Sequence, residues 1–238
     1  MATKHIELQG IGRVSLFKRK GARAIRLSVN SRGQVRVTMP FWVPYEAGAR
    51  FAQSRADWIE SQLGTYRSLL SHGQLIGKMH HLEFSAADTA KISSRVTPSA
   101  VRVTHPAAVQ SSDPAVQAAA NRASIRALRS QAELLLPNRL KGLAMMHGFT
   151  FRSVQVKQLR GRWGSCDAQS NIVLNLYLMQ LPWELIDYVL IHELTHTNIL
   201  RHGPDFWTAM RQVLPEVQTL RSAIRAYQPV VQSGEVAA

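Results

Sequence analysis

Residues 181–207 read LPWELIDYVLIHELTHTNILRHGPDFW, and this stretch decides how the rest of the chain is understood. Leu181-Pro182 marks a helix start, and Leu185, Tyr188, Val189, Leu190 and Ile191 predict a largely apolar helix from Trp183 to about Thr197. It carries His192-Glu193-Leu194-Thr195-His196, an HExxH pattern. Residues four apart on a helix share a face, about 6 Å apart along the axis, so both imidazoles can converge on one ion. Glu193 is turned about a quarter revolution from His192, which suits it to accept a proton from water instead of binding the metal. A buried His-Glu-His cluster would be costly without an ion or partners.

Zinc is the expected ion, because catalytic zinc takes three protein ligands and keeps a fourth position open. His202 is the expected third ligand, which requires the helix to end between residues 196 and 202. Asn198 is a plausible terminator, since Asn tolerates the left-handed conformation. Gly203-Pro204 then opens another helix, with proline at its first position. Glu216 and Asp205 compete for the third position. Both follow a proline and read more simply as charges at helix starts, with Asp205 left as a hydrogen-bond partner to a ligand.

Just upstream, Phe149 to Leu159 reads as a strand, Arg160 to Ser170 (RGRWGSCDAQS) as a loop and Ile172 to Leu178 as a second strand. Gly161 and Gly164 are expected to make a turn while Trp163 fills core. Arg160 and Arg162 are candidate contacts to substrate or to developing oxyanion charge. Tyr188 shares the face of His192 and is a further candidate, with a core role the simpler reading. Cys166, the only cysteine, could ligate zinc as thiolate but reads better as a small buried hydrophobe. The remaining histidines, His5, His72, His80, His81, His105 and His147, show no ligand spacing beyond the adjacent pair.

Further upstream, Ile25, Leu27 and Val29 alternate with polar residues. After Ser31-Arg32-Gly33, Val35, Val37 and Met39 do the same, which predicts a β-hairpin with one wet face. Glu46 to Leu63 has helical spacing and should pack on that sheet. Short strands are expected at Leu75-Ile76, Leu82 to Phe84, Ile92 to Val96 and Val101 to Val103. Asp113-Pro114 forms a cap and first-turn pair for an Ala- and Leu-rich helix through His147, with a kink or break at Pro137. These elements predict an α+β protein with a basic β-rich N-terminal domain, 1–112, and a catalytic domain with a small sheet, 113–238.

The 238 residues are enough for a sizeable core, and with 45% hydrophobic and 18% charged residues the chain is of ordinary globular composition. No apolar run suits a secretory leader or a membrane span, and the lone cysteine excludes an intramolecular disulfide, so cytoplasm is the expected compartment. The net charge of +14 is uneven: residues 1–70 hold 12 basic and 4 acidic residues. Such a face attracts phosphate-rich partners, although a merely solvated surface is the simpler reading.

Arg162-Trp163-Gly164-Ser165-Cys166, the strand from Asn171 to Leu176, Ile186-Asp187-Tyr188-Val189, the HELTH segment 192–196, His202 and Phe206-Trp207 together resemble the YgjP-like family of zinc metallohydrolases, which has SprT- and Wss-type peptidase relatives. The upstream hairpin and the helix through Arg55, Asp57, Trp58 and Ile59 resemble it too. That resemblance implies a zincin-like metallopeptidase domain behind a β-rich region. The expected activity is peptide-bond hydrolysis by a metal-activated water, with Glu193 as base and a peptide or protein as substrate. Two alternatives stay open: a nucleoside triphosphate pyrophosphohydrolase, and a nucleic-acid-associated protease of SprT type, in which the basic N-terminal region docks DNA or RNA and the metal site trims a bound protein. Oligomeric state is not legible.

Overall fold

The computed structural model of the chain describes residues 3–29, 34–60 and 69–231, and these form two compact units, Met1–Ser68 and Leu69–Ala238. Strands and helices alternate in an α+β arrangement with three small sheets among the described residues. No described helix is long and apolar enough to cross a membrane.

The first unit is a four-stranded sheet in the order β1-β2-β4-β3. Its strands are β1 (Thr3–Leu8), β2 (Gly12–Arg19), β3 (Arg26–Val29) and β4 (Val35–Pro40). The expected hairpin is present as β3 and β4, antiparallel with Leu27 opposite Val37, while its turn at Ser31-Arg32-Gly33 lies outside the described residues. β2 runs parallel to β4 and antiparallel to β1. Val14, Leu16, Val35, Val37 and Met39 form one buried face, closed by Ala52 of α1 (Tyr45–Gln53) and by Ile59. The helix expected from Glu46 is interrupted by a turn at Ser54 and Arg55 before helix resumes at 56–60; Leu63 lies outside the described residues. β1 and β2 had no counterpart in the sequence reading, because each shows only two apolar residues in alternation beside a basic run.

The second unit begins with β5 (Leu75–Ile76), β6 (His80–Ala87), β7 (Ser93–Val96) and β8 (Ala100–Pro106), in the sheet order β5-β6-β8-β7. The 34-residue α2 (Pro114–His147) packs on this sheet. Asp113 caps it by accepting from the Ala115 N–H at 2.7 Å. α2 runs through Pro137 without the break that was one of the two expected outcomes, with Leu136 and Leu140 fully buried around it. Its length lets tertiary packing offset one missing backbone bond.

This packing moves the domain division from residue 112 to residue 68. Ile76, Leu82, Val101 and Val103 share one core with Ala120, Ala123, Ala127 and Leu128 of α2. Gln117 holds the backbone of Leu70 from both sides, donating to its carbonyl at 3.0 Å and accepting from its N–H at 2.8 Å. Gln131 accepts from the Lys78 N–H and donates to the Ile76 carbonyl. Residues 69–112 therefore cannot bury their apolar face without α2, which short-range sequence patterns do not reveal.

A second sheet on α2 has the order β10-β11-β9, from β9 (Ser153–Lys157), β10 (Gly164–Cys166) and β11 (Asn171–Asn175). The chain then passes through a 3-10 turn, Leu176–Gln180, into α3 (Trp183–Thr195), α4 (Pro204–Val213) and α5 (Val217–Ala223).

Candidate metal centre

α3 is apolar because it lies in the middle of the larger core: Leu185, Ile186, Val189, Leu190, Ile191 and Leu194 are all buried. His192 and Glu193 occupy its last turn, and His196 is the residue that ends it. The termination differs from the expected one. Among the described residues, the one non-glycine residue with positive φ is Ser170, so Asn198 is not left-handed. Instead the chain leaves through tight turns, with the N–H of Thr197 on the Leu194 carbonyl and those of Asn198 and Ile199 on the Thr195 carbonyl. The Thr197 hydroxyl caps Leu194 as well. That exit returns His202 to the helix end just before Gly203 and Pro204 start α4.

His202 Nε2 lies 3.1 Å from His196 Nε2 and 2.9 Å from His192 Nε2. His196 Nδ1 is 3.0 Å from the Ile199 carbonyl. A carbonyl only accepts, so Nδ1 carries the hydrogen and Nε2 is left as a lone pair facing the other two rings. Burial, reinforced by the neighbouring imidazoles and Arg221, pushes His192 down to about 3. Burial also lowers His196. Neutral imidazoles are the form that binds metal. Three ring nitrogens turned toward one point repel one another unless a cation or a proton lies between them, and zinc at about 2.0–2.1 Å from each fits this donor set. Among the described residues these three histidines are the group that can hold a metal ion, and neither Glu216, Asp205 nor Cys166 joins it. Glu216 sits at the start of α5 and Asp205 in the first turn of α4, the helix-start positions expected of them.

Phe206, fully buried, lies under all three imidazoles with ring centroids 4.6–4.9 Å away. Trp207 stacks on the exposed His202 ring at 5.9 Å and 25°, and the Arg221 guanidinium covers Trp207 at 4.2 Å. His202 belongs to a loop, and this stack supplies the orientation that a helix gives the other two.

Glu193 is 5% exposed, and its Oε2 is buried without a hydrogen-bond partner. Desolvation raises its pKa to about 8, against the opposing charge of Arg162. The carboxylate rests against Gly164, where an added Cβ would stand 2.6 Å from Oε1 and 2.8 Å from Cγ. Gly164 therefore opens β10 as a close-approach residue, while Gly161 alone of the pair has the positive φ of a turn glycine. Both glycines are turn residues by composition, and residues 160–170 carry no strand signal. β10 escapes notice because Gly164-Ser165-Cys166 has neither length nor alternation.

The loop itself is fixed by a residue the sequence reading overlooked. Asn175, fully buried, donates from Nδ2 to the Leu159 and Arg162 carbonyls and accepts at Oδ1 from the Tyr177 N–H. Its own N–H reaches the Trp163 carbonyl at 2.9 Å. A side-chain amide at the end of an apolar strand is the signal that could have pointed to it. Arg160 and Arg162 are both exposed, and it is Arg162 whose charge reaches Glu193. Tyr188 is buried in the core, its ring 6.0 Å from that of His192. Cys166 lies on β10, where burial and the Glu193 charge push its thiol up to about 11.

Residues 23–227 match the family model described as YgjP-like, metallopeptidase domain. Among solved structures, the metallopeptidase zymogen of Pyrococcus abyssi abylysin is similar at 22% identity, over 39% of this chain and 93% of that one, with a TM-score of 0.36. No curated protein matches the chain.

Proposed function

The chain belongs to the YgjP-like family of metallopeptidase domains, and from that premise we propose that it is a zinc-dependent peptidase in which His192, His196 and His202 hold the ion and Glu193 is the general base. Family membership makes it a metallopeptidase-like hydrolase and implies a metal ion. The observation that carries the finer reading is the meeting of three Nε2 atoms, 2.9 and 3.1 Å apart, at the end of the helix that bears a buried Glu193. When bound, zinc supplies Lewis acidity for a scissile carbonyl and for water.

The remaining work falls to side chains. Glu193 accepts the proton of the attacking water and delivers it to the departing amine. Its burial against Gly164 keeps bulk water from competing for the carboxylate. Arg162, whose charge reaches Glu193, is the group assigned to stabilise negative charge on the attacked carbonyl oxygen. A peptide or protein is the substrate. With a lone cysteine, cytoplasm is the fitting compartment.

Arg162 also supports a second reading, phosphoanhydride cleavage of a nucleoside triphosphate, since an exposed guanidinium beside the base could seat a phosphate. One experiment separates the two: a peptide library and the four nucleoside triphosphates offered to wild type, Glu193→Gln and Arg162→Ala. The peptidase reading expects peptide cleavage that Glu193→Gln lowers by about three or more orders of magnitude with the fold retained. Triphosphate cleavage that both variants abolish, with no peptide cut, would replace it.

A further inference from the structure

One face of the N-terminal sheet takes no part in the chemistry above. α1 covers the face bearing Val14, Leu16, Val37 and Met39, and the opposite face is left to solvent. The register places Arg13 and Arg19 of β2, Arg26 of β3 and Arg36 of β4 on that open face, all exposed, around Phe17. Strands β1–β4 contain a single acidic residue, Glu7. The Arg36 guanidinium lies on the Phe17 ring, 4.2 Å from its centroid. Arg19 pairs with Pro40, and directly after Pro40 come Phe41 and Trp42, 61% and 60% exposed and edge-on at 5.3 Å.

We infer that this face is a docking surface for single-stranded nucleic acid. Four guanidiniums with one competing carboxylate make a polyanion site, and Arg is the cation whose planar fork both pairs with phosphate and stacks on bases. A guanidinium resting on an aromatic ring offers a flat platform to an unpaired base, and Phe41 and Trp42 offer two more rings at the same end of the sheet. A duplex hides the base faces such rings would stack on. A lipid surface would engage the exposed Phe41 and Trp42 but gives the Phe17 ring, covered by the Arg36 guanidinium, no role. The inference is independent of the peptidase chemistry.

The test uses the full chain and a fluorescently labelled 20-nucleotide single strand, read by anisotropy. Four phosphate contacts give a salt slope of about −3, so affinity should fall about fifty-fold between about 50 and 200 mM salt. Replacing Phe41 and Trp42 together with Ala should weaken binding about ten-fold or more. Arg26→Glu with Arg36→Glu should abolish it, and unchanged thermal unfolding midpoints would show that these exposed substitutions leave the fold intact. Three results would each overturn the inference: no binding of the single strand at low salt, equal affinity for a duplex with no effect of the aromatic substitutions, or capture by phosphatidylserine vesicles without any oligonucleotide binding.

Discussion

At the scale of the residue, the site depends on side chains that are missing as much as on those present. Glu193 can rest against β10 because residue 164 has no Cβ, and its carboxylate occupies the volume a methyl group would need. Gly164→Ala forces Glu193 from its position while leaving all three histidines in place. The expected result is a kcat lowered by about 100-fold or more, with KM and bound metal nearly unchanged, since displacing a catalytic group by about 1 Å costs that much. Steady-state kinetics on a peptide substrate together with metal analysis would check it; full activity would show that Glu193 does not need this seat. The convergence of His192 and His196 was legible from spacing, because i and i+4 on a helix is a rigid relationship, whereas that of His202 depended on where the helix ends. Gly164 and Asn175 were not legible, since both act through partners distant in sequence and neither follows a periodic pattern.

At the scale of the element, the best-marked pieces were those with local punctuation: the Asp113-Pro114 start of α2, the Gly203-Pro204 start of α4 and the alternation of β3 and β4. What stayed hidden was the attachment of β5–β8 to α2, which runs through glutamine side chains. Gln131 Nε2 lies 2.7 Å from His80 Nδ1 and also donates to the Ile76 carbonyl. An amide nitrogen only donates, so His80 must accept at Nδ1 and stay neutral there. Burial lowers its pKa below the ordinary 6.5, with a bond to the Thr97 backbone partly opposing. The sign of the linkage follows: below about pH 6.5 the unfolded chain binds a proton that the folded chain refuses, so this group takes stability away as pH falls from 6.5 toward its folded value. Urea unfolding of wild type and His80→Gln between pH 7 and pH 5 should show a steeper loss in wild type. Equal slopes would mean that His80 protonates without penalty.

At the scale of the whole molecule, the chain divides its composition between two units with separate cores. The smaller carries a disproportionate share of the positive charge, and the larger carries the three clustered histidines beside an apolar helix supported by α2 and the small sheet. The charge asymmetry was visible in composition, whereas the position of the division was not, because residues 69–112 look like an N-terminal strand cluster until their packing on α2 is seen. In the proposed chemistry, three imidazoles brought together from a helix end and a returning loop hold one catalytic zinc ion. Zinc content of purified protein, measured by elemental analysis after dialysis, tests it most directly. About one zinc per chain is expected in wild type and in Glu193→Gln, and loss of most of it in His202→Ala. Zinc kept by His202→Ala but lost from Glu216→Ala, or a wild-type protein that takes up none, would contradict it.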